Sequence, residues 1–283
     1  MTSQWNYFLK NLGEWHGSFT RMSPQGEEVV DTPTLVTLEG LNNNQNVHQV
    51  VRYLPPDEPS RDVVVDYERS LNRSILFFPN GAFSQGSMQW GPYSTFGGEF
   101  GLIDNDFGDG TRRLRMVILF SSSARLERIV LIREKLPNSS VPERPPLNID
   151  SLLGEWSGEG ITMYADLSNT TTFSSYLQVK RQESDRIEQT LSFNDKKINS
   201  VARIEGSRLL FENSELPSQI LMLPDGASCN CPLEVKLGYN FVLEMGWLIQ
   251  PNIRQRVIRT YNEKGNWVSC SLVTEKKVTR SVS

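Results

Sequence analysis

Residues 13–17, Gly-Glu-Trp-His-Gly (GEWHG), recur almost unchanged as Gly-Glu-Trp-Ser-Gly (GEWSG) at residues 154–158, an offset of 141 residues. Further matches follow in the same order along the chain. Pro79-Asn80-Gly81-Ala82 corresponds to Pro224-Asp225-Gly226-Ala227, and the closing segments 131–135 and 272–276 also match. Ordered matches at a nearly constant offset are typical of an internal repeat. The sequence therefore predicts one domain that is written twice.

The length of 283 residues suits two domains of ordinary size. Residues 137–146 contain four prolines, which stiffen a chain and remove backbone donors. We therefore predict an N-terminal barrel over residues 1–140, a Pro-rich linker over 141–147 and a C-terminal barrel over 148–283.

Composition narrows the classes of function. The net charge is −4 and acidic and basic residues are mixed, which argues against a nucleic-acid partner. No signal segment and no apolar run of membrane-spanning length is present, and three cysteines cannot all pair. We therefore expect a cytoplasmic protein with no membrane span. With only two histidines and no nucleotide-binding loop, we expect no metal and no cofactor.

Local patterns predict an all-β fold. Short runs rich in Val, Ile, Leu and aromatic residues alternate with turn signals at roughly ten-residue spacing, as in antiparallel sandwiches and barrels. Trp5, Phe8 and Leu12 recur at helical spacing before the first GEWxG motif, and Ile149 and Leu152 offer a shorter equivalent before the second. Each half thus reads as a short helix followed by about eight strands.

The Gly-x-Trp motifs resemble the first-strand signature of lipocalins and related calycins, where the tryptophan packs across the closed end of a barrel. The whole chain is similar to a cyanobacterial family of unknown function with tandem calycin-like domains. Residues 153–156 (LGEW), 223–226 (LPDG) and 254–259 (RQRVIR) carry that resemblance. It implies two tandem antiparallel calycin/lipocalin-like β-barrels, each opened by a short helix.

The repeated residues have a structural interpretation. Glycine permits a tight entry, tryptophan provides buried surface, and an arginine from a late strand covers the indole in calycins. Arg115 and Arg256 are shared by the two copies, so we expect them to cover the indoles by cation–π contacts. The predicted signature set is Gly13, Trp15, Arg115, Gly154, Trp156 and Arg256.

Candidate ligand contacts come from residues 241–261 of the second half. The odd positions of 241–249, which include Met245 and Trp247, are all apolar or aromatic, and we expect this face to point into the barrel. Glu244 would then point outwards; the alternative is a carboxylate that lines the cavity and serves as acid or base. The predicted ligand-binding residues are Met245, Trp247, Arg256, Arg259 and Tyr261, and the candidate catalytic residues are Glu244 and Tyr261.

Three hypotheses of function follow. The first is a carrier or sensor of a small apolar metabolite, bound in a barrel cavity. The second is an enzyme that cyclises, isomerises or ligates such a molecule, as some calycin-like cyclases and bilin lyases do. The third is a structural or partner-binding protein whose barrels are filled. Cavity volume separates the third hypothesis from the other two.

Overall fold

The computed structural model describes residues 3–91, 93–166 and 168–279. Its first half contains helix α1 (Gln4–Phe8) and strands β1 (Gly13–Met22), β2 (Glu28–Leu41), β3 (Asn46–Tyr53), β4 (Arg61–Glu68), β5 (Ile75–Phe77), β6 (Phe83–Gly86), β7 (Phe96–Ile103), β8 (Arg112–Phe120) and β9 (Leu126–Lys135). Two 3-10 turns span Leu9–Asn11 and Asp104–Asp106. Among the described residues, no helix has the length and apolar character needed to cross a membrane.

The second half follows the same plan. It contains helix α2 (Ile149–Leu152) and strands β10 (Gly154–Tyr164), β11 (Thr171–Glu183), β12 (Arg186–Phe193), β13 (Lys196–Glu205), β14 (Arg208–Phe211), β15 (Ser218–Met222), β16 (Ala227–Pro232), β17 (Phe241–Gln250), β18 (Ile253–Tyr261) and β19 (Trp267–Lys277). The prediction of an all-β, antiparallel fold with a short helix at the start of each half is confirmed.

The second sheet has one strand more than the first. The first sheet has nine strands in the order β4-β3-β2-β1-β9-β8-β7-β6-β5, whereas β10 to β19 form a closed barrel. In the second half β14 pairs through Arg208–Leu210 with β13 and through Arg208–Phe211 with β15. The first sheet has no such strand among its described residues, so β4 and β5 remain its two edges. We refer to this curled but open sheet as the first barrel.

The repeated Gly-x-Trp motif joins each helix to its first strand. Gly13 and Gly154 have φ angles of 139° and 116°, which only glycine adopts readily. The Trp15 indole N–H donates to the Asn11 carbonyl at 3.0 Å, and Trp156 donates to the Leu152 carbonyl at the same distance. Both indoles are buried. Each tryptophan therefore fixes the end of a helical turn against the barrel.

The arginine that covers the first tryptophan is Arg113, not Arg115. The Arg113 guanidinium carbon lies 4.3 Å from the centre of the Trp15 ring, while Arg115 lies 5.4 Å above Phe19. Strand register explains the difference. Arg113 lies opposite Glu134, which pairs with Gly17 close to Trp15. Arg115 lies two positions further from the helix, in the row of Ile132 and Phe19.

In the second half, too, the arginine that covers the tryptophan is not the one that the sequence predicted. Arg254 lies 5.3 Å from the centre of the Trp156 ring, and the Lys277 ammonium lies 5.2 Å from it. Arg256 instead reaches into an ion-pair cluster. The expectation that Arg256 covers Trp156 is therefore wrong, because register again places the preceding arginine in the row nearer the indole.

The largest apolar core lies between the two sheets. It joins the odd-numbered residues of β17 to residues of β7, β8 and β9, including Phe100 and Ile118. Trp90 packs edge-on against Phe120 of the first sheet and Phe241 of the second, with ring centres 5.0 and 6.0 Å apart. The outer surface of each sheet is thus buried against the other, and the two halves share one core.

Candidate functional site

The lumen of the second barrel holds a cavity of about 420 Å³. Its wall is mostly apolar, and its lower end near α2 is formed by Leu152 and by the charged side chains of Glu244, Arg254 and Arg256. The lining also includes Lys196, and its apolar part consists of Phe173, Leu177, Val179, Leu191, Phe193, Ile198, Leu209, Ile220, Val242, Ile258 and Val273. A cavity of this size and character is typical of sites for small organic ligands.

Strand β17 presents the opposite face to this cavity from the one that its sequence suggested. Val242 and Glu244 line the lumen, whereas Met245 and Trp247 belong to the core between the sheets. The expectation that the odd positions point inwards and Glu244 outwards is wrong. The outer face is fully apolar because it packs against the first sheet, so alternation on this strand does not distinguish lumen from interface.

Arg259 and Tyr261 also lie outside the lumen. Arg259 is fully buried and donates to the carbonyls of Ser74, Gly86 and Ser87 in the first half, at 3.1 to 3.2 Å. The Tyr261 hydroxyl donates to the Ser87 carbonyl at 2.7 Å and accepts from Arg259. Both side chains therefore join the two sheets.

The two candidate acid–base groups are separated by the barrel wall. Glu244 faces the cavity, whereas Tyr261 is in the intersheet core, where burial raises the pKa of its hydroxyl. They cannot act on the same bound molecule. Of the five predicted ligand-binding residues, the structure places only Arg256 in the cavity wall.

A buried ion-pair cluster forms the lower end of the lumen. Arg256 donates to Glu244 at 3.1 Å and to Glu275 at 2.7 Å, and Arg254 donates to Glu275 at 2.7 Å. Burial acts to raise the pKa of Glu275, but the two arginines outweigh it and hold that pKa below its ordinary value. Two positive and two negative groups thus balance within the cluster.

Glu275 was not predicted as a site residue, although a signal was present. It lies in the closing segment that repeats at an offset of 141 residues, where Glu134 is its counterpart. Glu134 accepts from Arg113 and Arg115 at 2.7 and 2.8 Å, so both halves carry the same cluster. A charged residue that both copies keep between buried apolar positions therefore indicates a buried ion pair.

Two polar atoms in the cavity wall lack partners. The Ser175 hydroxyl and Nε of Arg256 are buried and make no hydrogen bond within residues 3–91, 93–166 and 168–279. Both residues line the lumen. Because a buried polar group without a partner costs free energy, these atoms are available to water or to a polar group of a ligand.

The first barrel carries the equivalent ion-pair cluster, formed by Arg113, Arg115 and Glu134, but it encloses little free space. A cavity of about 80 Å³ remains beside this cluster, and its lining includes Phe8, Tyr67, Phe77 and Phe83. Strand register relates Phe83, opposite Gly101, to Ser228, opposite Gly246. It likewise relates Tyr67, opposite Val47, to Ala202, opposite Ile187.

Ser228 lines the lumen of the second barrel, whereas Phe83 occupies the corresponding space in the first half, so this replacement of an aromatic by a small residue leaves room in the second lumen. No group of three His, Cys, Asp or Glu residues suited to a metal ion occurs in the part of the chain that the structure describes.

The fold and the site define an all-β protein of two similar halves, in which a curled antiparallel sheet encloses little space and a closed antiparallel barrel holds an open lumen. Comparison with known proteins assigns the family: the chain belongs to the DUF3598 family. It is 46% identical to a protein of unknown function of that family from Nostoc punctiforme, with 98% of this chain and 100% of that chain covered and a TM-score of 0.90. The predicted resemblance to a cyanobacterial family of unknown function is confirmed.

Family models match each half separately. The DUF3598 N-terminal domain matches residues 1–139, and the C-terminal domain of "Biogenesis factor required for ATP synthase 1" matches residues 143–278. An S-type phycobiliprotein lyase from Guillardia theta is 14% identical over 47% of this chain and 91% of that chain, with a TM-score of 0.34. That degree of likeness has no bearing on function. A search of curated proteins finds no match.

Proposed function

We propose that the second barrel binds a small apolar molecule in its lumen. The observation that supports this proposal is the contrast between the two copies: a cavity of about 420 Å³ lies where the first barrel is filled by aromatic side chains. A purely structural duplicate would gain stability from filling that space, because voids in a core are costly.

The lining sets the chemistry of the ligand. Its body contacts aliphatic and aromatic side chains, and one end meets the hydroxyl of Ser175 and the free N–H of Arg256. Because the ion-pair cluster is balanced, an added buried charge would be uncompensated. An uncharged hydrogen-bond acceptor, such as a carbonyl or ether oxygen, suits this end best.

The protein purified from its native host tests the proposal. Organic solvent should release one compound at near-stoichiometric amount, identified by mass spectrometry. In parallel, Nile red, an uncharged apolar fluorophore, should bind the emptied protein at one equivalent.

Ser228→Phe is the matched blocking variant, since it introduces the residue of the first barrel above the retained Gly246. It should fold and lose Nile red binding. Ser157→Phe, at an exposed position of β10, should leave binding unchanged. Equal binding by wild type and Ser228→Phe would rule out the lumen as the site.

Turnover separates a carrier from an enzyme. Glu244 is the carboxylate that faces the lumen and is our candidate acid or base. If the protein converts the released compound, Glu244→Gln should stop conversion and leave binding largely intact. Conversion that persists in this variant would exclude Glu244. We place this activity in the cytoplasm, because Cys229, Cys231 and Cys270 are all unpaired thiols.

A second candidate function comes from the family match of the C-terminal half. Residues 143–278 match a domain named for biogenesis of ATP synthase, which suggests a role in assembling that enzyme. The expected result is reduced ATP synthase content in a deletion strain, restored by wild type. Restoration by Ser228→Phe as well would separate assembly from ligand binding.

A further inference from the structure

The wall of the second barrel has a side opening. Strand β13 pairs with β14 only through Arg203–Glu205, so residues 199–201 have no ladder partner on that side among the described residues. The chain leaves β14 at Phe211 and returns to the sheet at Ser218. We call the gap between residues 199–201 and residues 211–218 the side window.

A second cavity, of about 410 Å³, occupies the side window. Gln189, Ile220 and Asn230 line both this cavity and the lumen. Ile220 and Asn230 are directly paired across β15 and β16, so they mark the boundary between the two spaces. The lumen therefore adjoins a more polar space at the side of the barrel, with these three side chains between them.

The side window is lined mainly by amide and hydroxyl groups. The side-chain amides of Gln189, Asn213 and Asn230 make no hydrogen bond with any described residue, whereas Asn199 already accepts from Thr190 at 2.8 Å. Glu188 is the charged residue of this lining, and it is exposed. No described lysine or arginine lines the window.

This lining favours one class of polar group. Amides both donate and accept hydrogen bonds, as hydroxyl groups do. A phosphate, sulfate or carboxylate would find no cation here and would meet Glu188. A cationic group would gain little, because an ion pair with an exposed carboxylate is weak.

We propose that the ligand is an amphiphile whose apolar chain lies in the lumen and whose uncharged, hydroxyl-bearing head group lies in the side window. This inference rests on the proposed function of the lumen. It adds the direction of entry and the class of head group, namely a polyol such as glycerol or a sugar. The amides of Gln189, Asn213 and Asn230 bind the head group.

Displacement of Nile red from the full chain tests the head group. Monolaurin, lauric acid and dodecylamine share a chain of one length and carry a glycerol, an anionic and a cationic head. Monolaurin should displace the probe at a concentration at least tenfold lower than either of the other two. Dodecanol, measured alongside, reports the contribution of the chain alone.

The double variant Asn213→Leu/Asn230→Leu should reduce the preference for monolaurin over dodecanol to less than threefold and leave displacement by dodecanol unchanged. Asn6→Leu, an exposed amide on α1, is the control and should keep the full preference. Two outcomes overturn the inference while leaving the lumen site intact: lauric acid or dodecylamine equals monolaurin, or the double variant keeps the preference. Absence of Nile red binding to wild type would instead contradict the proposed function itself.

Discussion

Phe83 lies directly over Gly101 on the neighbouring strand, so closely that a Cβ at Gly101 would lie 2.1 Å from the phenyl ring. In the second barrel Ser228 lies opposite Gly246, and a Cβ there would lie 2.4 Å from the Ser228 hydroxyl. The glycine is retained in both copies, and only the residue above it differs. Exchange of that residue should therefore exchange the filled and open states.

The variant Phe83→Ser should open the first lumen. Removal of a buried phenyl ring leaves a cavity and should lower the free energy of unfolding by about 3–5 kcal/mol. In the background Ser228→Phe, which blocks the second barrel, it should restore one equivalent of Nile red binding. Fluorescence titration and urea unfolding provide both readouts. A double variant that folds but binds no probe would show that Phe83 alone does not close the first barrel.

The sequence was informative where the two copies agree. The repeated Gly-x-Trp motif, the turns and the alternation of apolar residues predicted the all-β class and the short helices, because these features depend on local backbone geometry. The orientation of β17 was mispredicted because both of its faces are buried, one against the first sheet and one in the lumen. The periodicity of apolar residues indicates that a strand face is buried, but it does not indicate whether the lumen or the other sheet covers that face.

Pairings between distant strands were equally hidden from the sequence. Arg113 and Arg115 differ only in their row of the sheet, and the row is set by the register of β8 against β9. The links that Arg259 makes to the first half depend on how the sheets pack. The first also depends on the pairing of β9 with β1, where Glu134 lies opposite Gly17, and the second on contacts with Ser74 and Gly86. Both bring together residues more than a hundred positions apart, which a single sequence does not specify.

The cation–π contact of Trp156 should be measurable with Arg254 and absent with Arg256. In a double-mutant cycle, Arg254→Met and Trp156→Phe should show a coupling free energy of about 0.5–2 kcal/mol, because the guanidinium lies over a buried indole. The cycle with Arg256→Met in place of Arg254→Met is the control and should give a coupling below about 0.5 kcal/mol. Equal coupling in the two cycles would contradict the assignment of Arg254.

Arg259 should hold the two sheets together. Arg259→Met leaves the buried carbonyls of Gly86 and Ser87 without this charged donor, and we expect a loss of about 3–5 kcal/mol in unfolding free energy. Scanning calorimetry should resolve two transitions in place of one, since the shared core is weakened. Arg186→Met removes only an exposed ion pair with Glu183 and should cost at most about 1 kcal/mol. A single transition with an unchanged midpoint in Arg259→Met would contradict this role.

The buried carboxylates should make the fold sensitive to acid. Burial acts to raise the pKa of Glu134, but Arg113 and Arg115 outweigh it and lower that pKa from 4.5 to about 2. A carboxylate with a lowered pKa in the folded state stabilises the protein fully above its unfolded pKa, and this contribution is lost as the pH falls through the folded pKa. Loss of the Glu134 contribution should therefore lower the free energy of unfolding by about 3 kcal/mol as the pH falls from about 5 to about 2.

Glu134→Gln should remove most of this dependence and lower stability at neutral pH, because it leaves buried Arg113 without a carboxylate and Arg115 with Glu99 alone. Urea unfolding at a series of pH values measures the effect. Glu28→Gln, at an exposed position of β2, is the matched control and should follow the wild-type profile. If the Glu134→Gln profile instead parallels that of wild type across the acid range, the pairing of Glu134 with the two arginines does not govern acid stability. The acid sensitivity that remained would then be assigned to other carboxylates, and Glu275, whose pKa is also lowered by its arginines, would be the next to replace.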